Sequence, residues 1–223
     1  MEITEEQRAK HSKIGKSNVR SAKVHERRIA KLLSEWSGRK FRRRRVEGRG
    51  DDVKVVEGVA DVIPVEGDII FAVEAKKGKD FSIDGLMSNP AGARFTEWWH
   101  QASYDAELLT KKTNVQRYPM LFFKPHPNWD WVAVPFQVFQ QNILRSKDIE
   151  PAEYEIRRKC SEVWFPHVHF DAYCWMGPIS HNTSRSKQKD KKVMVSLQLS
   201  PVVFCRWRDF AAFVDPESIF IQT

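Results

Sequence analysis

Asp61, Glu74 and Lys76 are residues whose types and spacing could do chemistry together. Asp61 stands thirteen residues before Glu74, and Lys76 follows two residues after it. Residues 59–63 and 69–73 are apolar runs on either side of Pro64-Val-Glu-Gly-Asp68, which reads as a β-hairpin. Alternate residues of a strand share a face. Glu74 and Lys76 therefore point the same way, and Asp61 reaches them from the partner strand. Two carboxylates at one point repel strongly unless a cation sits between them. Hard oxygen donors of this kind suit Mg²⁺ or Mn²⁺. A lysine beside them can hold an attacking water or neutralise charge on a phosphate. Asp68 is a rival for Asp61. Only six residues before Glu74, it falls at the turn end of the hairpin, so Asp61 is better placed across the ladder.

The elements that must position these groups follow from periodicity. Ile29, Leu32, Leu33 and Trp36 fall at helical spacing, so residues 21–36 read as a helix that Ser37-Gly38 stops. Glu26 lies at the edge of that apolar stripe, where a charge must find a partner. Two partners are open: Arg42 or another arginine of the next strand, or the water of a cation held by Asp61 and Glu74. Residues 41–46 read as a short basic strand. Residues 94–111 form a second helix with Phe95, Trp99, Ala102, Ala106 and Leu109 on one face. Trp98, Gln101, Tyr104 and Asp105 lie off that face, and Gln101 is the candidate for a supporting contact to phosphate. Residues 120–124 and 129–134 read as strands, residues 162–175 as β-rich, residues 193–199 and 202–207 as a closing pair, and residues 209–214 as a short helix. The order describes an α/β protein: a mixed central β-sheet flanked by helices, with additional C-terminal strands. The chain divides into a basic N-terminal arm (1–20), a core (21–135) and a C-terminal elaboration packed on the same domain (136–223).

The chain has 223 residues, 41% of them hydrophobic, enough for a real core. No apolar run approaches the roughly 20 residues that span a bilayer, and the charged N-terminus has no signal-peptide core. Three unevenly spaced cysteines make no disulfide framework. These features read as a cytoplasmic protein with no membrane partner. Cys160, His167, His169 and Cys174 lack the close ligand pairs of a structural zinc site. The net charge is +8, and its placement is one-sided. Residues 1–45 carry fifteen Lys/Arg against five Asp/Glu, whereas the remainder carries 22 against 24. Such a basic region is the footprint of a nucleic-acid partner. Lys13, Lys16, Arg20, Lys23, Arg42, Arg43, Arg44, Arg45, Lys77 and Lys79 are the candidate phosphate contacts.

A helix glutamate, then Asp, then Glu-x-Lys on adjacent strands resembles the pattern of the PD-(D/E)XK nuclease superfamily. Over residues 20–135 the chain is most similar to the Holliday-junction resolvases of archaea and bacteriophages. His25-Glu26-Arg27 looks like their helix glutamate and its following arginine. Ala60-Asp61-Val62 and Val73-Glu74-Ala75-Lys76 look like their strand motifs, with alanine in place of the proline that names the superfamily. The resemblance implies a restriction-endonuclease-like core and Mg²⁺-dependent endonuclease activity on DNA. It assigns catalysis to Glu26, Asp61, Glu74 and Lys76. Metal binding falls to Asp61, Glu74 and the Ala75 carbonyl, with Glu26 on a second ion. It also implies a four-way junction as substrate and a symmetric homodimer.

Overall fold

Residues 5–37 form one helix, α1 (Glu5–Ser37). The computed structural model describes residues 5–44, 60–78, 94–126, 129–139, 160–165, 170–175 and 202–221. Ile29, Ala30 and Leu33 of α1 are buried, and Leu32 and Trp36 pack beside them. The helix stops at Gly38, whose φ of 68° is a conformation that favours glycine. The Ser34 hydroxyl donates to Ala30 O at 2.7 Å and accepts from Phe41 N at 2.8 Å, tying the helix end to strand β1 (Phe41–Arg43).

The basic segment expected as a separate arm over residues 1–20 is, from Glu5 onward, the first half of α1. It contains no proline and only Gly15, and one interior glycine costs a helix about 1 kcal/mol. The continuity has a consequence for charge. Lys13, Lys16, Arg20, Lys23, Arg27 and Lys31 are three or four residues apart. Their positions fall on one side of α1, opposite the apolar stripe.

Strands β2 (Val62–Pro64), β3 (Phe71–Lys77), β4 (Tyr118–His126), β5 (Trp129–Pro135), β6 (Cys160–Phe165), β7 (Phe170–Trp175) and β8 (Val202–Arg206) complete the sheet. The eight described strands run in the order β1-β2-β3-β4-β5-β8-β7-β6. Only β3 and β4 pair in parallel, and helix α2 (Arg94–Thr113) makes the crossover between them. The other pairings are antiparallel. The result is a mixed α/β sheet of restriction-endonuclease type.

Helices cover both faces. Ile29 and Leu33 of α1 pack with Val73, Phe122 and Val132. Phe95, Trp99 and Ala102 of α2 pack with Leu121, Phe123 and Phe204. Met120 through Phe123 are therefore fully buried, as expected for a strand covered on both faces. Each such large side chain contributes about 1.5–3 kcal/mol of transfer free energy. Val203, Cys205, Trp207, Phe210, Val214, Ile219 and Phe220 belong to the same core. Helix α3 (Trp207–Phe213) sets Trp207 against Trp36 at 5.3 Å between rings, and Trp36 Nε1 donates to Ala211 O at 3.0 Å. The strand expected over residues 193–199 lies outside the described residues.

His25 of α1 is buried, and its pKa is lowered to about 4. Burial is the main cause; Lys124, Lys77 and Arg28 push the same way, and Asp130 opposes them. A base whose folded pKa is depressed contributes stability above its unfolded value, and loses it as pH falls toward the folded one. Between about pH 6.5 and 4, the wild type should lose up to about 1.4 kcal/mol per pH unit through this group. In urea titrations His25→Gln should show a flatter decline across that window; a parallel decline would assign the acid sensitivity elsewhere.

Candidate active site

Strand β2 is clamped between β1 and β3, and this fixes Asp61. Val62 pairs with Arg43 on one side and with Val73 on the other. Continuing that register sets Asp61 opposite Glu74. The Asp61 amide donates to Val73 O, and its carbonyl accepts from Arg44 N, both at 2.9 Å. Its side chain turns to β3, where Oδ2 accepts from Ala75 N at 3.1 Å. In an extended strand the N–H and C=O of one residue face the same edge. The Ala75 carbonyl therefore faces the edge from which Asp61 enters.

Glu74 and Lys76 share a face of β3. Lys76 Nζ lies 2.8 Å from Glu74 Oε2 and 4.0 Å from Asp61 Oδ2. The Glu74 carboxyl is 1% exposed, and Oε2 has no aligned hydrogen bond despite that ion pair. Burial first, and repulsion from Asp61 second, push its pKa up to about 9, against the pull of Lys76. Burial works against the charge of Lys76, but Glu74, Asp61 and Asp105 outweigh it and raise the pKa.

Glu26 reaches the same region from α1. Its carboxylate pairs with Arg43 Nη1 at 3.4 Å, so the arginine partner considered from sequence is present, on β1. It also lies close enough to Asp61 and Lys76 to feel both. Burial and then Asp61 raise its pKa, while Arg43 and Lys76 lower it. Asp68, the rival of Asp61, is elsewhere. It ion-pairs with buried Arg117, which also donates to Ile69 O.

Residues 20–170 match the family described as "Phage putative PDDEXK endonuclease". The chain belongs to this family. It is therefore a PD-(D/E)XK nuclease by family, and Asp61 with Glu74-Ala75-Lys76 is the candidate for its motif. No curated protein and no solved structure matches it.

One acidic residue of this nuclease escaped the sequence reading of the site. Asp105 of α2 is buried and lies close enough to Glu74 for the two carboxyls to shift each other's pKa. Burial raises the pKa of Asp105 as well, while its contacts with Glu74 and then Lys76 lower it. Gln101, one helical turn earlier and expected to support the site, is exposed. Asp105 lies three residues from Ala102 and four from Leu109, on the border of the apolar stripe. The argument that singled out Glu26 on α1 would have found it.

The donor set fits a hard divalent cation. It consists of oxygen, it is partly desolvated, and it leaves a buried carboxylate oxygen without an aligned hydrogen bond. Among the described residues no three His, Cys, Asp or Glu side chains close around one point. An ion here would therefore draw on two carboxylates, a backbone carbonyl and water.

The basic candidates divide. Arg27, Lys31, Arg42 and Arg43 line a cleft of about 540 Å³ between α1 and β1. Arg20 and Lys23 are exposed on α1, and Arg44 lies within electrostatic reach of Asp105. Lys77 is exposed, with Nζ 3.4 Å from Ser21 Oγ. Arg45 and Lys79 lie outside the described residues, as do His167 and His169.

A buried acid with a raised folded pKa stabilises the fold below its unfolded value and loses that stability as pH rises toward the folded one. For Glu74 the window runs from the ordinary 4.5 to about 9. Glu74→Gln should therefore stabilise the metal-free protein, and by more at pH 8 than at pH 5. Melting curves in EDTA test this; a gain independent of pH would mean that Glu74 is not held neutral.

Proposed function

We propose that the protein hydrolyses DNA phosphodiester bonds with Mg²⁺, which Mn²⁺ can replace. The observation that carries this reading is a buried Glu74 beside Asp61, with Lys76 Nζ 2.8 Å away, at the edge that the Ala75 carbonyl faces. Asp61, Glu74 and that carbonyl would hold one ion, and Glu26 a second, directly or through water. Bound there, such ions supply charge stabilisation to phosphate oxygens and acidify water.

The chain's own groups do the rest. Lys76 orients the attacking water and offsets charge building on the phosphorus oxygens. Arg43 holds the Glu26 carboxylate toward the site. Asp105 fixes the Glu74 carboxyl from the α2 side. The basic side of α1 and the Arg42/Arg43 cleft bind phosphates, which gives affinity without reading sequence.

The finer reading is a resolvase that cuts four-way DNA junctions as a two-fold homodimer, in the cytoplasm of a cell or of a phage-infected host. Similarity of Glu26, Asp61, Glu74 and Lys76 to that group of enzymes supports it. Purified protein with Mg²⁺ should cleave a four-way junction in preference to a linear duplex of the same sequence. Equal cleavage of both would reject the resolvase and leave the nuclease, as in a restriction or repair type.

Lys76→Ala should slow cleavage about 10²–10³-fold, and Glu74→Ala should remove it. If Glu74→Ala cleaves like wild type, the active site lies elsewhere. If wild type cleaves no DNA with either ion, the chain is a binding module on this fold.

A further inference from the structure

Row alignment across the sheet singles out a second basic site. Lys76 pairs with Phe123, Phe123 with Trp131, and Trp131 with Arg206. These four residues form one transverse row on one sheet face. Three strand intervals of about 4.8 Å separate Lys76 from Arg206, about 14 Å in all. Phe123 and Trp131, between them, are covered by the apolar side of α2.

At the far end of that row stands an exposed tryptophan. Trp129, two residues before Trp131 and on the same face, is 39% exposed. Arg206 places its guanidinium carbon 5.0 Å from the centre of the Trp129 ring, and Arg208 does so at 5.2 Å. Cation–π contact holds a guanidinium against the indole and leaves its N–H edge turned outward. The Arg208 side chain is 62% exposed, and among the described residues its hydrogen-bond partner is Asp209, at 3.1 Å from Nε. Among the described residues Arg206 has no carboxylate partner.

We propose that Arg206 and Arg208, held on Trp129, clamp the phosphate backbone of the DNA substrate to one side of the scissile bond. This rests on the nuclease reading and adds a binding site to it. The occupant follows from charge and geometry. A guanidinium fixed on an aromatic face presents paired donors to a phosphate, and its ordering is complete before binding. At 3.4 Å of rise per nucleotide, 14 Å corresponds to about four nucleotides from the phosphate at Lys76. Trp129 acts as a positioning residue, and the two arginines touch the DNA.

The test is DNA binding by the full chain in EDTA, on a fluorescent 40-base-pair duplex and on a four-way junction, as a function of salt. Arg206→Gln/Arg208→Gln should weaken binding at least tenfold at 0.1 M salt and reduce the slope of log K against log salt by about 1.8. Lys111→Gln/Lys112→Gln removes the same charge at the opposite end of the sheet and should change both far less. Trp129→Ala should approach the double-arginine variant, and Trp129→Phe, which keeps an aromatic face, should recover most of the affinity. A neutral methylphosphonate three to five nucleotides from the cut should weaken wild type and leave the double variant unaffected. Wild type that binds and cleaves while the double variant keeps its affinity and slope overturns the clamp and leaves the active site standing. Wild type that binds no DNA overturns both.

Discussion

Holding the Glu74 carboxyl out of water next to a second carboxylate is the constraint on which the rest of the site depends. Neither burial nor proximity to Asp61 favours its charge, and the outcome is a group pushed up to about 9. The surroundings are arranged around that cost. Lys76 stands 2.8 Å away, Asp105 is buried on the α2 side, and the Asp61 carboxylate is steadied by the Ala75 amide at 3.1 Å. A divalent cation would replace the proton and reverse the sign of the Glu74–Asp61 interaction. The same geometry that disfavours two charges without metal would thus be a preorganised oxygen site with it.

The sheet supplies the rigidity. Backbone bonds on both sides pin Asp61 between β1 and β3 at 2.9 Å. Glu74 and Lys76 sit on a strand whose parallel neighbour is buried on both faces. The helices then divide the work. α1 contributes Glu26 and a row of cationic positions on its outer side. α2 caps the opposite face and delivers Asp105. The chain belongs to a PDDEXK endonuclease family, and the backbone clamps hold the candidate motif in place.

Much of this was legible from residue order because the two relevant periods are short. Strand alternation put Glu74 and Lys76 on one face. Hairpin register preferred Asp61 to Asp68, and the structure gives Asp68 its own partner in Arg117. The stripe-edge argument brought Glu26 inward. The α2 contribution was read incompletely: exposed Gln101 was named, and buried Asp105 one turn later was not. Periodicity alone gives the centre of a buried face well and its border poorly, because the border depends on how the helix is rotated against the sheet. The extent of α1 was missed for a related reason. A polar sequence with weak helix breakers looks like an arm until the following amphipathic turns extend it. The alignment of Arg206 with Lys76 needed the strand order β3-β4-β5-β8, which brings together residues 130 positions apart.

An anomalous-difference map from crystals soaked in Mn²⁺ tests the central claim most directly. The account predicts a peak between the Asp61 and Glu74 carboxylates, within bonding distance of the Ala75 carbonyl, with Lys76 turned away from Glu74. A peak at Asp68, or an Asp61–Glu74 pair that stays free of Mn²⁺ at saturating concentration, would contradict it.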